Sequence, residues 1–228
     1  MLRSLVGSEM CIRDRDDTTT STMQSLAATL NHRFNDDWSV RNVTRAYDYT
    51  LDRYNTLPGG TTNPVNLTVG RTRSFILRDE SGLFNQTDVT WRNQLGGLKQ
   101  EWLMGMELGQ QKKRAESVSG GADRVSIFNP AGVAAPVIPA ASYTADSAIP
   151  SHTTQDTAAL YWQNQITLAP QWKALVGARY DVFKQQTEFD RKLSALSRTD
   201  KKFSPRAGLV WQPSDAVSYY VSYSKSFQ

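Results

Sequence analysis

The chain has 228 residues, a hydrophobic content of 39% and a formal net charge of +4. Its Lys and Arg are scattered, the densest run being Lys112-Lys113-Arg114, and no nucleic-acid motif accompanies them, which argues against nucleic acid as a partner. With one Cys (Cys11) and two distant His (His32 and His152), a disulfide is excluded and no ligand-spaced metal set exists.

No run of about 18 apolar residues is present, so no membrane-spanning helix is encoded, while a barrel of strands stays open. Met1 to Arg15 shows neither strand alternation nor helical period, and lacks the apolar core of a signal peptide. Its run SLVGSEMCIRD is similar to a translated sequencing-adapter scar. Residues 1–15 are therefore expected to be non-native or disordered, and residues 16–228 to be the folded part.

From Thr18 to Phe34, Leu26, Ala28, Leu30 and Phe34 alternate with Ala27, Thr29, Asn31 and Arg33. Asn35-Asp36-Asp37 is a turn, and Trp38 to about Tyr54 is the partner strand. There Val43, Tyr47, Tyr49 and Leu51 share one parity and Trp38 and Val40 the other, which leaves the outer face open. Asn55 to Gly70 reads as a loop, marked by Leu57-Pro58-Gly59-Gly60 and Asn63-Pro64. Arg71 to Leu95 is a long strand, with room for a bulge near Ser81-Gly82. After the turn Leu95-Gly96-Gly97-Leu98, the residues Trp102, Met104, Met106 and Leu108 form an apolar face against Lys99, Glu101, Gly105 and Glu107.

Gln110 to Asp156 reads as the longest irregular stretch, of the kind usually functional. Then come two strands joined at Ala169-Pro170-Gln171. In the first, Leu160, Trp162, Ile166 and Leu168 oppose Tyr161, Gln163 and Gln165. In the second, Trp172, Ala174, Val176, Ala178, Tyr180 and Val182 oppose Lys173, Leu175, Gly177, Arg179 and Asp181. Lys184 to Asp200 reads as a charged loop with frayed strand ends. Lys201 to Trp211 is a strand, Gln212-Pro213-Ser214-Asp215 a turn, and Val217 to Phe227 a last strand with Tyr219 on its apolar parity.

Alternate side chains point to opposite faces of a strand. Strands of ten or more residues, apolar on one face and polar on the other, joined alternately by tight turns and long loops, fit an outer-membrane barrel. Trp38, Trp102, Trp162, Trp172 and Trp211, with Val176 and Tyr219, are the candidate lipid-facing or girdle residues. The fold class is all-β: about eight antiparallel transmembrane strands. A soluble β-sandwich is the competing architecture, because it too buries only one face of each sheet.

Several motifs resemble TonB-dependent siderophore receptors. They are Tyr161-Trp162-Gln163-Asn164-Gln165, Gly177-Ala178-Arg179-Tyr180-Asp181, Phe203-Ser204-Pro205-Arg206-Ala207-Gly208 and Ser222-Tyr223-Ser224-Lys225-Ser226-Phe227. Gly105-Met106-Glu107 and Asn35-Asp36-Asp37-Trp38 fit the same pattern, and the resemblance runs from about Thr18 to Gln228. It implies a middle segment of a plugged barrel of roughly 22 strands. It also implies a place in the bacterial outer membrane, a ferric siderophore as ligand, and a TonB-type energy-coupling protein acting through a plug that this chain lacks. Iron would arrive already chelated, so no metal ligand, cofactor or catalytic residue is expected of the protein, and it is not read as an enzyme. Tyr54, Arg124, Phe128 and Tyr143 in the outer loops are the candidate ligand contacts, supplying stacking surface and positive charge. Arg179 and Asp181 are expected to pair within the wall. Two other functions compete: a passive porin or small structural barrel, and a secreted β-domain binding carbohydrate.

Overall fold

The computed structural model describes residues 17–58, 62–128, 138, 142, 148–190 and 192–225. The expectation for Met1 to Arg15 thus lies outside the described residues. Eight strands follow one another: β1 (Thr18–Arg33), β2 (Trp38–Pro58), β3 (Thr68–Leu95), β4 (Leu98–Ser126), β5 (Ser151–Ala169), β6 (Trp172–Phe189), β7 (Lys192–Ser214) and β8 (Val217–Ser224). They form one antiparallel sheet in the order of the chain, and it is open at β1 and β8. The sheet is a single layer, which removes the sandwich reading.

Tight turns join the strands at one end. Asn35 Oδ1 accepts from the backbone N of Asp37 at 2.9 Å and of Trp38 at 2.8 Å, closing the β1–β2 turn. Gly96 and Gly97 take φ values of 60° and 78° between the paired Leu95 and Leu98. Two consecutive positive φ angles make the hairpin turn whose twist matches that of the strands, and glycine adopts them without a Cβ clash.

Register decides the two faces. Trp38 stands opposite Trp91, Trp91 opposite Trp102, Met104 opposite Trp162, Trp172 opposite Trp211, and Trp211 opposite Tyr219. All six Trp of the chain therefore share one face, near the tight turns. Trp38 and Trp91 stack at 5.2 Å between ring centroids, and Trp172 and Trp211 at 5.7 Å. The same face carries Leu26, Leu83, Leu108, Leu160, Val176, Phe203 and Val221, all exposed. We call it the outward face. From Met106 to Arg114 its residues are exposed, while the inward ones between them are half-buried. Such a surface is stable only against lipid, because large contiguous apolar patches in water drive association.

Four expectations change. Gln110 to Asp156 is not irregular throughout: β4 continues to Ser126 and β5 starts at Ser151. Lys184 to Asp200 is not a loop either, since β6 runs to Phe189 and β7 starts at Lys192, so the alternation of tight turns with long loops fails at this connection. Likewise β2 reaches Pro58 and β3 starts at Thr68, which shortens the loop between them. The physical reason is shared. Backbone pairing continues beyond the apolar belt, where mostly polar side chains stand on both faces and the apolar alternation disappears. Finally, Ser81 and Gly82 pair in register with Asp48 and Tyr47, and the shift in β3 lies instead between Val69 and Arg71.

The outer face of β2 is settled by its partner. Register with Trp91 turns Trp38, Val40 and Ala46 outward, and Tyr47, Tyr49 and Leu51 inward. Tyr47 then stacks on Phe84 of β3, 6.2 Å between centroids.

Candidate functional site

The inward face of β3 to β6 carries one connected polar network. Arg179 Nε donates to Asp181 Oδ1 at 2.7 Å along β6, and Arg179 Nη2 to Glu107 Oε2 at 2.9 Å on β4. Its guanidinium lies 5.3 Å from the ring centroid of Tyr161 on β5. The Tyr161 hydroxyl donates to Asp88 on β3 and accepts from Gln86 Nε2 at 3.0 Å. Small residues make this possible. Gly105 lies beneath the Tyr161 ring, where any Cβ would collide with it. Ala159, 5% exposed, separates Glu107 from Asp181 in the ladder and lets the arginine reach across. Asp181 and Arg179 were legible in the sequence. Tyr161, Asp88, Gln86 and the ion-pair role of Glu107 were not, because only register brings four strands together.

Further toward the long connections, the inward face becomes basic. Arg53 on β2, Arg78 on β3 and Lys113 on β4 share it, with Tyr49. Glu80 is the nearby carboxylate, 3.7 Å from Arg78 Nε and 3.9 Å from Lys113 Nζ. Arg53 Nε is buried without a hydrogen-bond partner. An aromatic and basic wall of this kind can hold an anionic, ring-bearing solute by stacking and by charge.

On the outward side of the same end, the β4–β5 connection is anchored to the wall. Ile138 and Ala148 pack with Val118 against Tyr54 and Phe75. Beneath them Arg73, 0% exposed in its side chain, pairs with Asp17 at 2.6 Å. Asp17 Oδ1 also accepts from the Thr56 backbone N at 2.9 Å and from its hydroxyl at 3.1 Å. The Arg73 guanidinium covers the Tyr54 ring at 3.9 Å. Tyr54 is thus committed to packing under the connection. Arg124 lies at the end of β4 with Nε donating to Thr68 Oγ1 at 3.0 Å, and Phe128 is 77% exposed just beyond it. Tyr143 lies outside the described residues. Trp38, Trp102, Trp162, Trp172, Trp211, Tyr219 and Val176 all stand on the outward face, joined there by Trp91, which sequence reading left out.

A wall that is apolar outside, polar inside, ringed by Trp at its tight-turn end and carrying its larger connections at the other has the anatomy of an outer-membrane barrel. The family model described as TonB dependent receptor-like, beta-barrel, matches residues 11–228. The chain belongs to this family. TonB-dependent receptors are outer-membrane barrels that act as transporters, not enzymes. The segment is 26% identical over 222 residues to the metal-pseudopaline receptor CntO of Pseudomonas aeruginosa, covering 90% of this chain and 29% of that protein. It superimposes on the open form of the ferric-catecholate import receptor Fiu of E. coli K12 with a TM-score of 0.73 at 18% identity, covering 92% of this chain and 36% of that one. The siderophore receptor PiuA of Acinetobacter baumannii gives a TM-score of 0.73 at 16% identity, with 92% and 32% covered. The TonB-dependent receptor segment thus spans about a third of the length of these proteins. The structural likeness shows the shared fold.

Proposed function

We propose that this segment forms part of the wall and outer mouth of an active importer of ferric siderophores. The observation that carries the reading is the two-faced wall: lipid-compatible outside, polar and then basic inside. The basic and aromatic inward groups Arg53, Arg78, Lys113 and Tyr49 suit a chelate of anionic oxygens on aromatic rings. Arg124 and Phe128 at the rim, with Tyr143 in the β4–β5 connection, are the proposed loop contacts. Tyr54 contributes by supporting that connection. Short turns then face the periplasm and the larger connections face the medium. Transport draws on a TonB-type inner-membrane complex acting through a plug domain.

The test is uptake of radiolabelled ferric siderophores by cells with and without the full-length gene, before and after an uncoupler collapses the inner-membrane gradient. The reading expects gene-dependent uptake of at least one chelate that stops with the uncoupler. Uptake that persists after uncoupling identifies a passive porin instead. A second reading is supported by the similarity to CntO, a metal-pseudopaline receptor: the cargo is a metal chelate not confined to iron. Competition between ferric and other metal-loaded forms of the same chelator separates the two.

A further inference from the structure

Above the Trp rows the outward faces of β4, β5 and β6 stay apolar for several rungs and then turn polar at one height, whereas β2 and β3 carry the hydrogen-bonded Asn42, Thr44, Asn85 and Thr87 there. Leu108, Ala158 and Val182 lie side by side on β4, β5 and β6, and the next outward residues are Gln110, Asp156 and Lys184. Lys201 on β7 stands opposite Val182, and Lys112 follows Gln110 on β4. All three lysines are exposed. Among the described residues, no ion pair engages them. The carboxylates close by on this face are Asp156, which stands opposite Lys184 and accepts from Gln110 Nε2 at 2.8 Å, Glu188 further along β6, and Asp48 and Asp79, which share a hollow with Lys112. Directly below the lysines is a shallow furrow of about 550 Å³. Its outward walls are Leu83, Leu108, Ala158 and Val182, with Asn85 opposite Leu108 on the β3 side and Gln110, Asp156 and Lys184 at the upper lip.

We propose that this place binds a phosphorylated glycolipid of the outer leaflet, a molecule of the lipid A type. Its phosphate lies against Lys184 and Lys201, with Lys112 on the far side of Asp156, and one acyl chain occupies the furrow. The inference rests on the outer-membrane placement of the family. Two observations of different kinds meet here. Lysines at the edge of an apolar belt keep their stems on apolar surface and lift the ammonium to the headgroup level. Unpaired cations at that level attract lipid phosphates. The small Ala158 between Leu108 and Val182 opens the furrow just below them. The wall carries its Trp girdle at the opposite interface, so the two ends of the belt are fitted to different headgroups.

The experiment uses the full-length receptor that contains this segment, purified in detergent and titrated with bisphosphorylated lipid A, with its dephosphorylated form, and with inorganic phosphate. Native mass spectrometry counts the lipid retained. The variants are the double substitution Lys184→Gln with Lys201→Gln, and Lys202→Gln, whose side chain is on the inward face opposite Asp181. A folded control is the heat-resistant mobility of the barrel, required of both. The wild type should prefer the phosphorylated lipid by about tenfold or more. The double variant should lose that preference and Lys202→Gln should keep it. Equal binding of the two lipids by the wild type, or an unchanged preference in the double variant, overturns the proposal. Displacement of lipid A by millimolar inorganic phosphate overturns it in favour of a simple phosphate site. Absence of the receptor from the outer-membrane fraction is a separate result and counts against the placement itself.

Discussion

Arg179 on β6 reaches across β5 to Glu107 on β4, closing a 2.9 Å ion pair over the small side chain of Ala159. The same guanidinium holds Asp181 at 2.7 Å, so one cation neutralises two half-buried carboxylates. Arg179→Ala removes the cation that both carboxylates share and leaves Lys202, opposite Asp181, as the next cation on that face. The expected loss is about 2 kcal/mol, in the range for hydrogen bonds to charged groups, less any share that water recovers. Denaturant midpoints of the refolded receptor measure it. Arg179→Ala combined with Glu107→Ala should cost clearly less than the two single losses added.

Gly105 exists for the Tyr161 ring. Gly105→Val drives a branched side chain into that ring and pulls its hydroxyl from Asp88. Overpacking of this kind typically costs about 1–3 kcal/mol. Tyr161→Phe removes only the hydroxyl bond and should cost about 1 kcal/mol. If the two variants are equally stable, the ring does not rest where the geometry puts it.

Val176 stands outward between Asn164 and Ala207, and Leu175 inward between Gln165 and Gly208. An Arg on the lipid face costs about 2–4 kcal/mol at the bilayer midplane and about 0–1 near the interface. Val176 is one outward position beyond Ala174 from the girdle Trp172, so Val176→Arg should show an intermediate to full loss. Leu175→Arg should lose less, because its neighbours are polar and the interior is hydrated. Refolding into bilayers with a denaturant midpoint for each variant checks this. Equal losses would reverse the assignment of faces.

The buried pair of Arg73 with Asp17 holds the base of the β4–β5 connection. Removing one member of a buried pair strands the other charge, which costs about 3–5 kcal/mol locally. Arg73→Leu should therefore speed proteolytic cutting within residues 127–150 while leaving barrel insertion intact. Unchanged cleavage kinetics would mean that packing of Ile138 and Ala148 suffices without the ion pair.

Deletion of residues 129–147 should leave an inserted barrel and weaken chelate binding in the full-length receptor. The cut spares β4 and β5, whose ends reach Ser126 and Ser151. Binding by fluorescence quenching or by retained radiolabelled chelate is the measurement. Undiminished binding by a correctly inserted protein would place ligand capture elsewhere.

Alternation and turn chemistry were enough to place eight strands, their order and the facing of β4, β5, β6 and β8. A period of two with Trp beside the turns is written in the residues themselves. Where mostly polar side chains occupy both faces, as from Gln110 to Ser117 and from Lys184 to Phe189, that periodicity is absent although the backbone ladder continues. Strand ends there were invisible for that reason. The sequence by itself determined an outer-membrane wall, because lipid constrains every second side chain. Tertiary structure decided the rest: that Tyr47 points inward, that Trp91 joins the other Trp residues on the outward face, that Tyr54 supports a connection, and that Arg179 bridges to Glu107. Each of these depends on which residues of separate strands stand opposite one another, and pairing register is a property of the assembled sheet that no local pattern encodes.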